Sequence, residues 1–350
     1  MTIEELIEIT ILKKASDLHL ICGLPPVLRI DGALASLPGK NSLTEDEVKN
    51  LVFSLVSDEQ KEILLVNKEI DFSFPYKDQA RFRVNAYHQR GTLAAAMRLL
   101  PRLIPQIDEL RLPKICHSFT QLKQGFILIT GPTGHGKSTT LAAIIEEINQ
   151  TRPVHIVSIE DPIEYVFVPV KAIISQREIR ADTHSWQIAL RSCLREDPDV
   201  VMVGEMRDFE TIAAALTIAE TGHLVFATLH TNSAAQSIDR IVDVFPEYQQ
   251  PQVKMQLSNN LEAVLSQRLI PSLEGGRIPA LEILVATPAV KTSIREGKVH
   301  LIDNIILTSS ELGMRTLEMD LARLVKEGKI SLEVAQSYSL RPEELIRLIK

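Results

Sequence analysis

The stretch Ile127 to Leu141, ILITGPTGHGKSTTL, governs how the rest of the chain is read. The apolar run from Phe126 to Thr130 predicts a strand. It leads into Gly131-Pro132-Thr133-Gly134-His135-Gly136-Lys137-Ser138, which fits the phosphate-loop pattern G-x-x-x-x-G-K-[ST], and the residues beyond predict a helix. Glycines at 131, 134 and 136 permit positive φ and close approach to a ligand, so successive N–H groups can converge on phosphate oxygens at the helix N-terminus. Lys137 places a full positive charge against the β- and γ-phosphates, and the Ser138 hydroxyl is placed to ligate Mg²⁺. The loop therefore predicts ATP held by Gly131, Pro132, Thr133, Gly134, His135, Gly136, Lys137, Ser138 and Thr139. A glycine turn that binds nothing would not require the lysine, the strand and the helix together.

Outward from the loop, strands and helices alternate from Gly125 to about Ile270. Strands are expected at 126–130, 154–159, 199–203 and 223–229, with helices at 138–149, 185–193 and 208–220, an order that predicts a parallel sheet covered on both faces. Ligands on such sheets bind at the carboxyl ends of the strands. Hydrolysis needs a metal-side carboxylate and a group that orients water. The run Asp199-Val200-Val201-Met202-Val203-Gly204-Glu205 reads as a buried strand ending in an acid, so Glu205 is expected beside Ser138, holding Mg²⁺ directly or through water. The acidic run Glu160-Asp161-Pro162-Ile163-Glu164 emerges at the same edge. Carboxylates gathered there repel one another unless a cation or proton sits among them, and Glu164 is the candidate to position and deprotonate the attacking water. His230, with Thr228 and Thr231, falls at a strand's carboxyl end where it could sense the γ-phosphate. His223 lies at the opposite end, as a structural or interface residue. Arginines that could neutralise phosphoryl charge are Arg81, Arg83, Arg90 and Arg98 in the first domain and Arg195 and Arg207 in the second, although the default for arginine is solvation.

The domain boundaries expected are an N-terminal α+β domain over 1–99, a proline-containing linker over 100–115, the nucleotide core over 116–270, and a mainly helical region over 271–350 after one more strand at 280–285. In the first, an amphipathic opening helix precedes short β-like runs at 17–20 and 26–30, with Asp31-Gly32 as a turn. Thr44 is an N-cap with Glu47 as its capping-box partner, and 70–74, 80–87 and 92–99 read as strands of an antiparallel sheet. Pro101, Pro105 and Pro113 suit an extended connector and hinge.

With 350 residues, 45% of them hydrophobic, the chain can bury two cores. A net charge of −7 without runs of like charge disfavours a nucleic-acid motor. Cys22, Cys116 and Cys193 lack metal-ligand spacing and read as buried hydrophobes or free thiols of a reducing compartment, so no zinc site is expected. The acidic N-terminus is unlike a signal peptide, and no apolar stretch approaches about 18 residues. A cytoplasmic protein meeting a membrane only through a partner is expected.

Four signatures in order resemble the secretion ATPases that drive type IV pili and type II secretion. They are GPTGHGKSTT as Walker A, IEDPIEY as the Asp box, LREDPDVVMVGEMRD as the Walker B region, and TGHLVFATLHTNSAAQSIDRI as the His box. The similarity extends from KASDLHL and PPVLRIDG to the last helices. It implies a RecA-like P-loop ATPase core with a smaller PAS-like α+β domain and a helical C-terminal extension. It also implies a homo-hexameric ring, nucleotide held between the two domains, and docking on an inner-membrane platform protein. Within this resemblance Glu205 matches the Walker B acid, Glu164 the general base, and Arg83 and Arg98, with Arg81 beside them, the first-domain arginines that reach the phosphates. The short architecture, with neither an extra N-terminal domain nor a four-cysteine insertion, resembles the retraction branch. So does Ala289–Glu296, AVKTSIRE, set against that branch's AIRNLIRE, although Thr292 and Ser293 depart from it. His135 stands where the family usually has Ser. An accessory or assembly motor, or a non-hydrolysing regulator, is the alternative.

Overall fold

The structure, a computed structural model, describes residues 1–30, 32–77, 80–100 and 103–350. Asp31, read with Gly32 as a turn, and Pro101, read as part of the connector, lie outside the described residues. The chain divides into two compact units, one of residues 1–103 with 162–166, the other of residues 104–161 with 167–350.

The first unit opens with α1 (Ile3–Leu12), followed by β1 (Asp17–Ile21), β2 (Val27–Ile30) and β3 (Ala33–Ser36). Helices α2 (Glu45–Phe53) and α3 (Asp58–Asn67) precede β4 (Glu69–Tyr76), β5 (Ala80–Gln89) and β6 (Thr92–Leu100). Thr44 caps α2 in the expected box, with the Glu47 N–H donating to Thr44 Oγ1 and Glu47 Oε2 accepting from the Thr44 N–H. All six strands form one antiparallel sheet in the order β3-β2-β1-β6-β5-β4. Alternation along β5 turns Phe82, Val84 and Ala86 into the core beneath α1 to α3 and leaves Arg81, Arg83 and Asn85 on the other face.

In the second unit α4 (Ile115–Phe119) leads to β7 (Gly125–Thr130) and α5 (Lys137–Thr151). Then come β8 (His155–Glu160), β9 (Ile173–Glu178), α6 (Trp186–Cys193), β10 (Val200–Val203), α7 (Phe209–Glu220) and β11 (Leu224–Leu229). Helices α8 (Ala234–Asp243) and α9 (Gln250–Asn260) precede β12 (Leu261–Pro271) and β13 (Arg277–Val285). Helices α10 (Pro288–Arg295), α11 (Ile302–Thr308), α12 (Leu317–Lys326), α13 (Leu332–Tyr338) and α14 (Pro342–Ile349) close the chain.

The sheet order is β13-β12-β7-β11-β10-β8-β9, parallel throughout except for β13. The four strands expected to be parallel, β7, β8, β10 and β11, are so, while the strand expected at 280–285 without a direction is β13 and runs the other way. A turn over Ser272–Gly276, with positive φ at Gly275 and Gly276, is too short for a crossover and returns the chain antiparallel. Every residue of β7, β10 and β11 is buried, so both faces of the sheet are covered. Residues 271–350 are not separate from the nucleotide unit: α12 to α14 form a small core of their own on Ile270, Ile278 and Ala280 of the hairpin. Among the described residues no helix is long and apolar enough to cross a membrane.

Candidate functional site

The parallel register brings the carboxyl ends of β7, β11, β10 and β8 to one edge, and the strand order places β11 between β7 and β10. Gly131 leaves β7 with φ +140°, and a Cβ there would lie 2.2 Å from the Gln267 carbonyl oxygen of β12. Only glycine fits that approach. Gly134 and Gly136 both have φ +80°, and Gly136 starts α5 without any side-chain cap, leaving the helix N-terminus to backbone donors.

Lys137 is buried, and its Nζ donates to the carbonyls of Gly131 at 2.8 Å and Pro132 at 3.0 Å. Ser138 and Thr139, in the first turn of α5, are half-buried. His135 spends its side chain on anchoring the loop. Its Nδ1 accepts from the Leu269 N–H at 3.0 Å and its carbonyl accepts from Gln267 Nε2 at 2.8 Å. Burial, with Arg268, Lys137 and Arg277 nearby, pushes its pKa down, which keeps the acceptor nitrogen unprotonated. Gln267 Oε1 also accepts from Thr140 Oγ1 at 2.7 Å, so one glutamine of β12 ties both the loop and its helix.

The other half of the site comes from β10 and β11. His230 Nε2 lies 3.0 Å from Glu205 Oε1, while its Nδ1 is 3.1 Å from Thr133 Oγ1 and 3.5 Å from Lys137 Nζ. This pattern suits the tautomer that donates from Nε2 to the carboxylate and accepts at Nδ1. Lys137, His230 and Glu205 thus form one continuous polar line along the edge where β7, β11 and β10 end. Burial pushes the Glu205 carboxyl up, but the Arg207 hydrogen bond at 2.8 Å, the Arg207 charge and the His230 hydrogen bond outweigh it and hold the group below its usual range. Glu205 is therefore an ionised oxygen donor, and it and the Ser138 hydroxyl are both of the oxygen-ligand type that a hard divalent cation takes. Thr228 Oγ1 donates to the Gly204 carbonyl, and the Met206 N–H donates to the Thr228 carbonyl, which fixes the turn that carries Glu205. Beside Glu205 and Arg207 lies a cleft of about 280 Å³ walled by Asp161, His184, Trp186 and Asp208.

Other predicted residues are placed differently. Glu160 turns back into the sheet, accepting from Ser158 Oγ and Gln176 Nε2. Glu164 is half-buried in the coil after β8, in the segment 162–166 that belongs to the N-terminal unit. His223 Nδ1 lies 3.0 Å from the Ile218 carbonyl and 3.0 Å from Thr221 Oγ1, where it locks the turn from α7 into β11. The first-domain arginines are engaged within their own sheet. Arg81 Nη2 donates to Ser73 Oγ, Arg83 Nη2 to Asp71 Oδ2 at 2.6 Å, and Arg98 Nε to Asp17 Oδ1 at 2.9 Å. Cys116 and Cys193 are buried, and burial pushes each thiol up to about 12. Gln267 was missed by sequence reasoning. The signal available was a polar Ser266-Gln267-Arg268 triplet inside the apolar run Leu261 to Ile270.

Strand order and phosphate loop together make the second unit a RecA-like P-loop domain. Residues 2–277 match the family model described as "Type II/IV secretion system protein", and the chain belongs to that family. It is 46% identical over 345 residues to the type IV pilus retraction ATPase PilT of Pseudomonas aeruginosa, covering 98% of this chain and 99% of that one. It is 46% identical over 323 residues to a twitching motility protein of Neisseria gonorrhoeae, covering 91% of this chain and 86% of the other. A crystal structure of the pilus retraction motor PilT with bound ADP superposes with a TM-score of 0.93 at 47% identity, covering 99% of both chains.

Proposed function

We propose that this chain hydrolyses ATP with Mg²⁺ as a homo-hexameric motor that powers type IV pilus retraction, and hence twitching, from the cytoplasmic side of an inner-membrane platform protein. The observation that supports the reading is the line Lys137, His230, Glu205, whose side chains follow one another at 3.5 Å and 3.0 Å along the edge where β7, β11 and β10 end. Near full-length similarity to a retraction motor with bound ADP supports the direction of work.

In this reading the loop from Gly131 to Thr139 cradles the phosphates, and Lys137 neutralises charge on the β- and γ-phosphates. Mg²⁺, when held by Ser138 and Glu205, would screen the phosphate oxygens and polarise the transferring group. Glu164 takes the proton from the attacking water. His230 couples the phosphate end of the loop to Glu205. By family resemblance Arg83, Arg98 and Arg81 supply further positive charge to the phosphates, and His223 serves structure.

Lys137→Ala and Glu205→Ala should each lower ATP turnover by about 100-fold or more, measured as phosphate release by the purified full-length protein. Unchanged turnover in both would end the ATPase reading. A deletion strain should carry excess surface pili and fail to twitch. A second reading, an accessory or assembly motor, is favoured by Thr292 and Ser293 of α10, where the chain departs from the retraction segment. Bald cells in the deletion strain would select the assembly motor.

A further inference from the structure

The β12–β13 hairpin carries a buried ion cluster that the nucleotide chemistry described above does not use. Ser266 of β12 pairs with Glu282 of β13, and Arg268 pairs with Ala280, so Arg268 and Glu282 are diagonal neighbours on one face. Both reach the turn that follows His230. The Ala234 N–H, at the start of α8, donates to Glu282 Oε1 at 2.6 Å, and Arg268 Nη2 donates to Asn232 Oδ1 at 3.3 Å. The turn is braced internally by Thr231 Oγ1 against Ser237 Oγ at 2.6 Å.

From its other side β13 is gripped by the C-terminal region. The Leu281 N–H donates to Asp320 Oδ2 at 2.9 Å, and the Ile283 N–H donates to the Arg315 carbonyl at 2.9 Å. Arg315 in turn pairs with Asp320. The two neighbours of Glu282 are thus fixed by α12 and the residues before it, while Glu282 itself caps α8, four residues beyond His230. Glu282 is only 5% exposed. A carboxylate there faces the positive end of α8, which favours its charge.

We propose that Glu282, seconded by Arg268, is a positioning residue that sets His230 against Glu205 and Lys137, so that the packing of the C-terminal helices on β13 bears directly on ATP turnover. This rests on the reading of His230 given above. The charges facing Glu282 are the carboxylates of Asp303 and Glu318 and the guanidinium groups of Arg341 and Arg268. Burial raises the Glu282 carboxyl to about 7, with Asp303 and Glu318 adding to the rise and the Ala234 N–H and Arg341 opposing it. It therefore changes charge within the working range.

The experiment is steady-state ATP turnover of the purified full-length protein across about pH 6 to about pH 8. In the wild type, kcat should fall as pH drops through about 7, because protonation removes the charge that holds α8. E282Q keeps an acceptor oxygen but no charge, so its kcat should lie about tenfold down at high pH and lose that limb, with KM within about twofold. N232A, an exposed change, removes only the arginine arm and should lower kcat about threefold. A wild-type kcat and pH profile in E282Q overturns the proposal. Should E282Q not fold, N232A decides: a threefold loss supports it and an unchanged kcat overturns it. H230Q separates the two readings, because wild-type turnover there removes the role of His230 and this proposal with it. A slow H230Q beside a normal E282Q removes this proposal alone.

Discussion

The two sheets of this protein solve the same packing problem in opposite ways. In the antiparallel sheet β5 alternates buried and half-open positions, and the face away from the helices carries a row in register from Arg83 through Arg98 and the buried Asp17 to Arg29. In β7 and β11 of the parallel sheet consecutive residues are all buried, so neither face of these two strands carries a charged group. Lys137, His230 and Glu205 all lie beyond the points where β7, β11 and β10 stop. The difference shows why one domain displays arginines across its strands while the other concentrates lysine, histidine and acid at a single edge.

Core substitutions test that contrast most strongly. Ile127→Ala and Leu128→Ala, neighbours in β7, should each cost about 2–5 kcal/mol in urea unfolding because each faces a covered side. In β5 the corresponding pair should split, with Phe82→Ala costing about 3–5 kcal/mol and Asn85→Ala staying within about 0.5 kcal/mol. Equal costs in β5 would break the comparison. Asp17→Asn probes that polar row with a smaller effect, about 1–2 kcal/mol at neutral pH. Burial raises the Asp17 carboxyl, but the hydrogen bonds from Ser16 and Arg98 outweigh it, so the folded value is depressed. The stabilisation is then present above the unfolded value and lost as pH falls through the folded one, so the cost of Asp17→Asn should fade below about pH 4. A cost that is constant with pH would mean that Asp17 acts by shape alone.

The smallest effect is expected outside both sheets. Burial lowers the His117 pKa, but hydrogen bonds to Glu147 Oε2 at 2.7 Å and Asp108 Oδ1 at 3.3 Å raise it overall. A raised histidine stabilises fully below its unfolded value and loses that contribution as pH rises through the folded one. His117→Gln should therefore cost less than about 1 kcal/mol near pH 5.5, screened by solvent, and nothing near pH 9. Thermal melts at the two pH values check the sign.

Much of the nucleotide unit is legible because its signals are local. The phosphate loop and the Val200–Val203 strand ahead of Glu205, like the Thr44–Glu47 box of the other unit, rest on residues within one turn or one strand. The hairpin partner β12 was not legible, for two reasons. It follows α9 directly, with no glycine or proline between Asn260 and Leu261 to mark the change. Its Ser266, Gln267 and Arg268 also look unlike a buried strand until the loop and the cluster they serve are known. The edge strand β9 was hidden likewise, since Ile173–Glu178 is only partly buried and lacks an alternating pattern. Helices α3, α8 and α9 also escaped the sequence reading. Pairing of the first-domain arginines is a tertiary fact, because Asp17 and Arg98 meet only when β1 and β6 align.

The family match stops at residue 277, where β13 begins. Gln267 of the strand it covers presses its carbonyl on Gly131 and grips the loop and its helix through its side chain. A protein truncated at that boundary would leave β12 as a raw margin, open to pairing with any stray strand. The catalytic apparatus would then hang from an unsupported beam. The last fifth of the sequence is best regarded as the buttress that makes the shared portion workable.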